Sequence, residues 1–346
     1  MGNLYRDALK ALDWGEGAVV IGHKSPDGDS VMSALAYAKL MQSLGYKAEA
    51  KMAGKPNNET LFVAKVLGIE LPENLPSVSS CSLADRNCGP ARLILVDHSD
   101  YAQAVDGARD ARILQVLDHH GIGNISESKL LYAKYMPVGS TCSIVYTSYR
   151  ELDVEITSEV AKILFAGLLS DTLNLKKVTV TDVDRAIYED LLEMLARDWN
   201  LDKDCARQKA SEIFDGMVEA AHDFSSMTDE DIFNSDAKDY VMGTAKFRLG
   251  SLDWRDVSTI DEFADRLLAV MPNVAKASGC NMVFCRVGFE EKTYMLYGGV
   301  DSTSARFAKA IAERAFGKSK REGIVYCERR LSRKLDVVPM LAKALS

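Results

Sequence analysis

The side chains in this sequence that could do chemistry are imidazoles and carboxylates that follow short apolar runs. His23, Asp27 and Asp29 come shortly after the apolar run at residues 18–21. One imidazole nitrogen and two carboxylate oxygens at this spacing form half of a ligand set for two ions of a borderline metal such as Mn²⁺. Taken alone, the same residues could form a turn in which Asp-Gly bends the chain and Asp-Ser starts a helix.

The arrangement recurs further along the chain, where apolar runs again end in an acidic residue, a histidine or both. These runs are residues 93–96 before Asp97 and His98, 113–117 before Asp118, His119 and His120, and 164–169 before Asp171. Four of the five histidines lie at such ends. A single histidine is usually a structural residue, but four beside aspartates at successive ends favour a metal site.

Strands and helices must alternate to bring these ends together. The first three runs read as buried strands, whereas residues 164–169 carry Leu and Ala at helical spacing. Ser30 is expected to cap a long helix that stops at Gly45. Strands separated by helices predict a parallel sheet, and open α/β sheets place their chemistry at the carboxyl ends of such strands.

The remaining periodic segments extend this pattern. Helices are predicted over residues 3–14, 60–67, 181–201 and 206–221, a strand over 47–52, and a surface loop over 70–90. The second part is predicted to have helices over residues 229–233, 260–277 and 304–316, and strands over 240–252, 281–287 and 293–300. The fold class is therefore α/β, with a parallel-sheet domain over 1–220, a linker over 221–228 and a smaller mixed α/β domain over 229–346.

Composition limits the class of protein. A chain of 346 residues with 47% apolar and 27% charged residues predicts a globular protein of two domains. No apolar run approaches the length of a membrane span and no signal peptide is visible. The seven scattered cysteines lack a Cys-x-x-Cys pair and fit buried free thiols. We therefore expect a cytoplasmic protein without a membrane partner.

Charge points to a small substrate. The net charge of −8 argues against a large nucleic-acid surface. Basic residues nevertheless crowd near the end of the chain, at Lys318, Lys320, Arg321, Arg329, Arg330, Arg333 and Lys334. They could form an ordinary solvated face. Beside a metal centre, they would suit a phosphate-bearing substrate.

The motifs, taken in order, resemble the DHH phosphoesterase superfamily, and residues 332–339 resemble the terminal motif of its DHHA2 domain. Within that group the sequence is most similar to the manganese-dependent (family II) inorganic pyrophosphatases. Further matches lie at residues 57–60, 137–141 and 236–238, so the resemblance spans about residues 17–345.

The resemblance implies a role for each matching residue. One Mn²⁺ would be held by His23, Asp27 and Asp97, and a second by Asp29, Asp97, His119 and Asp171, with Asp97 shared. Asp118 would orient the neighbouring imidazoles. Phosphate oxygens would be held by His120, Lys238, Arg333 and Lys334. Co²⁺ or Mg²⁺ could substitute for Mn²⁺, and the family suggests a homodimer.

The expected activity is hydrolysis of pyrophosphate to two phosphates. Alternatives are a related phosphoesterase for short polyphosphate, a nucleotide or a short oligonucleotide, and a homologue that binds nucleotide without turnover. The sequence departs from the family pattern at Ser25, Gly28, Gly121, Leu335 and Asp336. Gly121 stands where the relatives usually carry Arg, and Gly28 where they usually carry Thr, so these departures bear on the substrate.

Overall fold

The computed structural model describes residues 17–78, 90–127, 130–225, 227–254 and 256–345, together with residues 4, 6, 7 and 11. They form two compact units, Met1–Ala221 and His222–Ser346. Two thirds of the helix predicted over residues 3–14 falls outside the described residues, as do residues 79–89 of the predicted loop.

The first unit is built on a five-stranded parallel sheet in the order β2-β1-β3-β4-β5. Its strands are β1 (Ala18–Ile21), β2 (Ala48–Lys51), β3 (Arg92–Val96), β4 (Arg112–Asp118) and β5 (Tyr132–Tyr135). The predicted parallel sheet is confirmed, and β5 is an additional edge strand that the sequence analysis did not predict.

Helices cover this sheet and form the larger part of the core. They are α1 (Gly28–Ser43), α2 (Asn58–Leu67), α3 (Thr141–Glu151), α4 (Ser158–Thr172), α5 (Asp182–Trp199) and α6 (Lys203–Ala221). Val20 and Ile94 pack in the core that contains these helices, whereas Val19 and Leu93 pack in a second core on the other side. Burial on both faces explains why the strands read as continuous apolar runs.

The start of α1 differs from the prediction. Asp27, not Ser30, is the N-cap, because its carboxylate accepts a hydrogen bond from the Ser30 backbone N–H at 3.0 Å. The Ser30 hydroxyl instead accepts from the backbone N–H of His23 at 3.0 Å. Gly22 permits this close approach, since a Cβ there would lie 2.7 Å from the Ser30 carbonyl oxygen. Ser30 therefore fixes the loop that carries His23.

The second unit contains a mixed sheet in the order β10-β9-β8-β7-β6, in which β7 and β8 are parallel and the other pairs antiparallel. Its strands are β6 (Ala237–Met242), β7 (Ala245–Asp253), β8 (Met282–Phe289), β9 (Lys292–Gly299) and β10 (Ile324–Cys327). Its helices are α7 (Asp229–Asn234), α8 (Ile260–Ser278), α9 (Ser302–Phe316) and α10 (Val338–Leu345), with a π-helix at Arg333–Val337 before the last.

The prediction of a single strand over residues 240–252 was wrong. The segment 240–252 belongs to two antiparallel strands, β6 and β7, joined by a tight turn. Gly243 supplies the turn because its φ is +59°, a conformation that glycine adopts without steric cost. Among the helices of the described residues, none combines the length and apolar character that a membrane crossing requires.

The packing of α1 against α4 generates a prediction about Gly28. A Cβ at Gly28 would lie 2.7 Å from the Cβ of Ser170. Gly28→Thr should therefore lower the free energy of unfolding by about 1–3 kcal/mol, the usual cost of overpacking. Urea unfolding measures it. Gly121→Ala is the matched control, since a Cβ at Gly121 meets nothing within 4 Å. Equal stability of Gly28→Thr and the parent would contradict this packing.

Candidate metal centre

Carboxylates and imidazoles from the loops after β1, β3 and β4 and from the helices α1 and α4 form three groups able to hold a metal ion. The groups are His23 with Asp27 and Asp97, Asp29 with His119 and Asp171, and Asp97 with His119 and His120. Within each group the possible ligand atoms lie within 4.8 Å of one another. Every residue predicted as a metal ligand is present in at least one group.

Asp97 connects two of these groups. It directly follows β3, has a positive φ of +64° and is only 2% exposed. Its Oδ2 lies 3.4 Å from the Nε2 of His23, and its Oδ1 lies 3.4 Å from the Nε2 of His119. Thr141 donates a hydrogen bond to Oδ1 at 2.8 Å. The two carboxylate oxygens are thus directed at two different imidazoles.

The imidazoles of His23 and His119 have the orientation of metal ligands. The Nδ1 atom of His23 lies 2.8 Å from the backbone carbonyl oxygen of Lys24, and the Nδ1 atom of His119 lies 2.9 Å from that of Val138. A carbonyl oxygen only accepts, so Nδ1 carries the proton and Nε2 of the neutral ring carries the lone pair. That lone pair faces carboxylate oxygens, which also only accept. A cation between them makes the arrangement favourable, and nitrogen and oxygen donors of this kind fit Mn²⁺.

The electrostatics of the site agree with this geometry. Burial lowers the pKa of His119, but the carboxylates of Asp171, Asp29 and Asp97 outweigh burial and raise that pKa to about 10. Burial, followed by the charges of Asp97 and Asp171, raises the pKa of Asp29 well above its usual value. The site therefore favours additional positive charge.

Asp29 is held by the beginning of α3. Its carboxylate accepts hydrogen bonds from the Ser140 hydroxyl at 2.6 Å and from the backbone N–H groups of Thr141 at 2.6 Å and Cys142 at 3.0 Å. The first N–H groups of a helix have no partner within the helix and carry partial positive charge. They therefore stabilise a buried carboxylate that lies close to those of Asp97 and Asp171.

Asp118 and His120 form a pair at the edge of the groups. The Nδ1 of His120 lies 2.9 Å from Oδ1 of Asp118, and its side chain is half-exposed. Burial raises the pKa of Asp118, but the hydrogen bonds and charge of His120 outweigh it and hold that pKa below its usual value. This contact leaves the Nε2 of His120 available to a ligand.

His98, the fourth histidine at a strand end, has a different position. It is 1% exposed, and its Nδ1 donates to the carbonyl of Val96 at 2.9 Å. Burial lowers its pKa to about 4. Within the described residues His98 belongs to none of the three groups, so the structure places it next to Asp97 but outside the candidate ligand sets.

Sequence reasoning missed several polar residues around the ligands. Thr141 and Ser140 lie in a segment noted only as a match to the family, and Lys177 was not noted at all. Lys177 forms an ion pair with Asp171. Glu59, in another matched segment, carries a pKa raised by burial and by the nearby charges of Asp27 and Asp171. In the sequence, only the family matches at residues 137–141 and 57–60 could have indicated roles for Ser140, Thr141 and Glu59.

The predicted phosphate-binding cations lie in the second unit. Lys238 is exposed on β6, and Lys334 is exposed in the π-helix. Arg333 donates from Nη1 to the carbonyl and to Oδ1 of Asp236, at 2.9 and 2.6 Å. Asp236 directly precedes β6, so this contact ties the π-helix to the strand that carries Lys238.

Comparison with known proteins decides the family. The family models described as "DHH family, N-terminal domain" and "DHHA2 domain" match residues 18–168 and 215–344. A manganese-dependent inorganic pyrophosphatase of Methanothrix thermoacetophila is 32% identical over 94% of this chain and 97% of that protein. The chain belongs to the family of manganese-dependent inorganic pyrophosphatases. The resemblance seen in the sequence is therefore confirmed.

Other members support the assignment. A probable manganese-dependent inorganic pyrophosphatase of Exiguobacterium sp. is 31% identical over 94% of this chain and 98% of its own length. Among solved structures, a Methanococcus jannaschii protein assigned to the family II inorganic pyrophosphatases superposes with a TM-score of 0.72. It is 26% identical and covers 94% of this chain and 98% of its own.

Removal and return of metal should change the stability of the first unit. Four neighbouring carboxylates repel one another, and bound Mn²⁺ would offset that repulsion. Saturation at one hundred times the dissociation constant should raise the free energy of unfolding by about 2.7 kcal/mol for each ion. Urea unfolding after EDTA treatment, with and without added MnCl₂, measures the difference. An unfolding curve that millimolar MnCl₂ does not move would argue against a metal centre.

Proposed function

We propose that this protein hydrolyses pyrophosphate to two phosphates with two Mn²⁺ ions bound in the first unit. The observation that carries the proposal is the position of Asp97, because one of its carboxylate oxygens lies beside the imidazole of His23 and the other beside that of His119. A carboxylate placed in this way can serve two ions at once. Membership in the family supplies the substrate class, and the nitrogen and oxygen donors support Mn²⁺.

We base the ligand sets on two of the three groups and add Asp97 to the second, because its Oδ1 lies 3.4 Å from the Nε2 of His119. One ion is assigned to His23, Asp27 and Asp97, and the other to Asp29, Asp97, His119 and Asp171. When bound, two such ions polarise the phosphoryl group and lower the pKa of a nearby water. Co²⁺ can use the same donors, while Mg²⁺ is a poorer substitute because it prefers an all-oxygen set.

The protein's own side chains then bind and orient the substrate. Asp118 holds the ring of His120 so that its Nε2 can donate to a phosphate oxygen when the ring is protonated. Lys238, Arg333 and Lys334 are proposed to bind oxygens of the leaving phosphate. Cationic groups directed at developing negative charge stabilise the transition state more than the ground state.

We further propose a cytoplasmic homodimer. Among the described residues, β2 and β5 are the two edge strands of the sheet of the first unit. A second copy of the chain could add a strand at one of these edges.

The shared role of Asp97 is tested by Asp97→Asn. The variant loses the negative charge that both ions require and should show a pyrophosphatase rate at least about a thousandfold below the parent, a loss of roughly 4 kcal/mol in transition-state stabilisation. Phosphate release measures it, with Mn²⁺ content determined on the same sample. Asp110→Asn, at an exposed aspartate in the same unit, is the control. Near-parent turnover by Asp97→Asn would show that no ion depends on that carboxylate.

Gly121 bears on the choice of substrate. A side chain at Gly121 has open space, since a Cβ there meets nothing within 4 Å. Gly121→Arg should lower the KM for pyrophosphate about tenfold, because one charge-assisted hydrogen bond is worth roughly 1.5–3 kcal/mol. Gly121→Gln has similar bulk without the charge and should leave KM nearly unchanged.

The same open space favours the second candidate, a phosphoesterase for a nucleotide or for short polyphosphate. Kinetics of the parent and of Gly121→Arg on pyrophosphate, tripolyphosphate and a nucleotide separate the two. A parent that prefers the nucleotide, with a Gly121→Arg variant that cleaves pyrophosphate less well, would replace the pyrophosphatase proposal by this alternative.

A further inference from the structure

Lys177 reaches the metal centre from an unusual turn. Directly after α4 ends, Leu173, Asn174 and Leu175 all have positive φ, at +51°, +52° and +65°. Such a conformation costs a leucine roughly 1–2 kcal/mol. The turn is fixed by hydrogen bonds from the backbone N–H of Leu175 to the Thr172 hydroxyl, at 3.1 Å, and from the N–H of Lys177 to the Thr172 carbonyl, at 3.0 Å.

The chain reverses here, so that the Lys177 ammonium lies against the last helical turn of α4. Its Nζ forms an ion pair with Oδ1 of Asp171, while Oδ2 of Asp171 lies 3.1 Å from the Nε2 of His119. The two oxygens of Asp171 thus have separate partners. The inner oxygen faces the imidazole, and the outer oxygen is held by a cation whose side chain remains 37% exposed. Backbone strain that positions a charged group at a site is a recognised sign of function.

We infer that Lys177 is a positioning residue for the metal centre, which it serves by holding the outer oxygen of Asp171 so that the carboxylate offers only Oδ2 to an ion. A carboxylate that is free to rotate presents either oxygen or both, and it loses side-chain entropy when a metal fixes it. Outer partners that prevent this rotation typically improve metal affinity ten- to a hundredfold. The charge of Lys177 also acts on Asp27 and Glu59, which places it among the acidic groups of the site.

This inference rests on the metal centre of the proposed function but not on the identity of the substrate. The experiment is therefore a metal titration. Binding of Mn²⁺ to the full chain, freed of metal and without any phosphate compound, is followed by the electron paramagnetic resonance signal of free Mn²⁺. Lys177→Ala should raise the dissociation constant of one ion about ten- to a hundredfold. Lys177→Arg, which keeps a cation at this position, should recover most of the affinity.

Lys176→Ala is the matched control. Lys176 precedes Lys177 on the same turn, but its Nζ lies 5.5 Å from the centre of the Phe214 ring instead of at a carboxylate. It should change Mn²⁺ affinity by less than about threefold. Urea unfolding in EDTA shows whether Lys177→Ala is folded, and a purely structural role would lower stability there while leaving the affinity for Mn²⁺ unchanged.

The outcomes separate the two proposals. A parent protein that binds no Mn²⁺ would remove the metal centre itself. A parent that binds Mn²⁺ and a Lys177→Ala variant that binds it equally well would overturn only the role of Lys177. Tighter binding by Lys177→Ala would also overturn it, because it would show that the ammonium competes with the ion.

Discussion

The structure depends on placing four carboxylates close together, two of which, Asp29 and Asp97, are buried. Two unit charges about 4 Å apart repel each other by roughly 4 kcal/mol at an effective dielectric constant of 20. Each carboxylate therefore has a local compensation. Asp29 accepts hydrogen bonds from the start of α3, and Asp27 caps α1. Thr141 donates to Asp97, and Lys177 pairs with Asp171. Strand ends and helices both supply the carboxylates, whereas helix starts and neighbouring polar side chains make their charge tolerable.

This distinction explains how much of the site the sequence predicted. The ligands lie at the ends of apolar runs, and this pattern is visible because parallel strands end at one edge of a sheet. Two of the compensating contacts are long-range: Thr141 donates a hydrogen bond to Asp97 across 44 residues and to Asp29 across 112. Nothing in the local sequence signals such pairs. The N-cap of α1 was predicted wrongly for a related reason, since Ser30 and Asp27 are both good caps and only the contact between Ser30 and His23 distinguishes them.

Two glycines that both depart from the family pattern have opposite physical meanings. Gly28 lies against Ser170, so a side chain there would collide with α4. Gly121 borders open space. The first glycine therefore follows from helix packing within this chain and says little about substrate. The second has no steric reason within this chain, and Gly121 is therefore the departure that we propose to bear on substrate choice.

The basic tail carries less free charge than its sequence suggests. Arg329 pairs with Asp336, Arg330 with Asp253 and Arg321 with Asp261, each within about 3 Å. In these pairs an acidic side chain offsets the positive charge that a long polyanion would have to contact along an extended face. Exposed pairs of this kind contribute little to stability. The ion pair between Arg333 and Asp236 also holds the start of the π-helix against the residue that precedes β6, the strand that carries Lys238. Arg333 is therefore paired as the other three arginines are, and this pairing argues against a continuous basic face for a nucleic-acid strand.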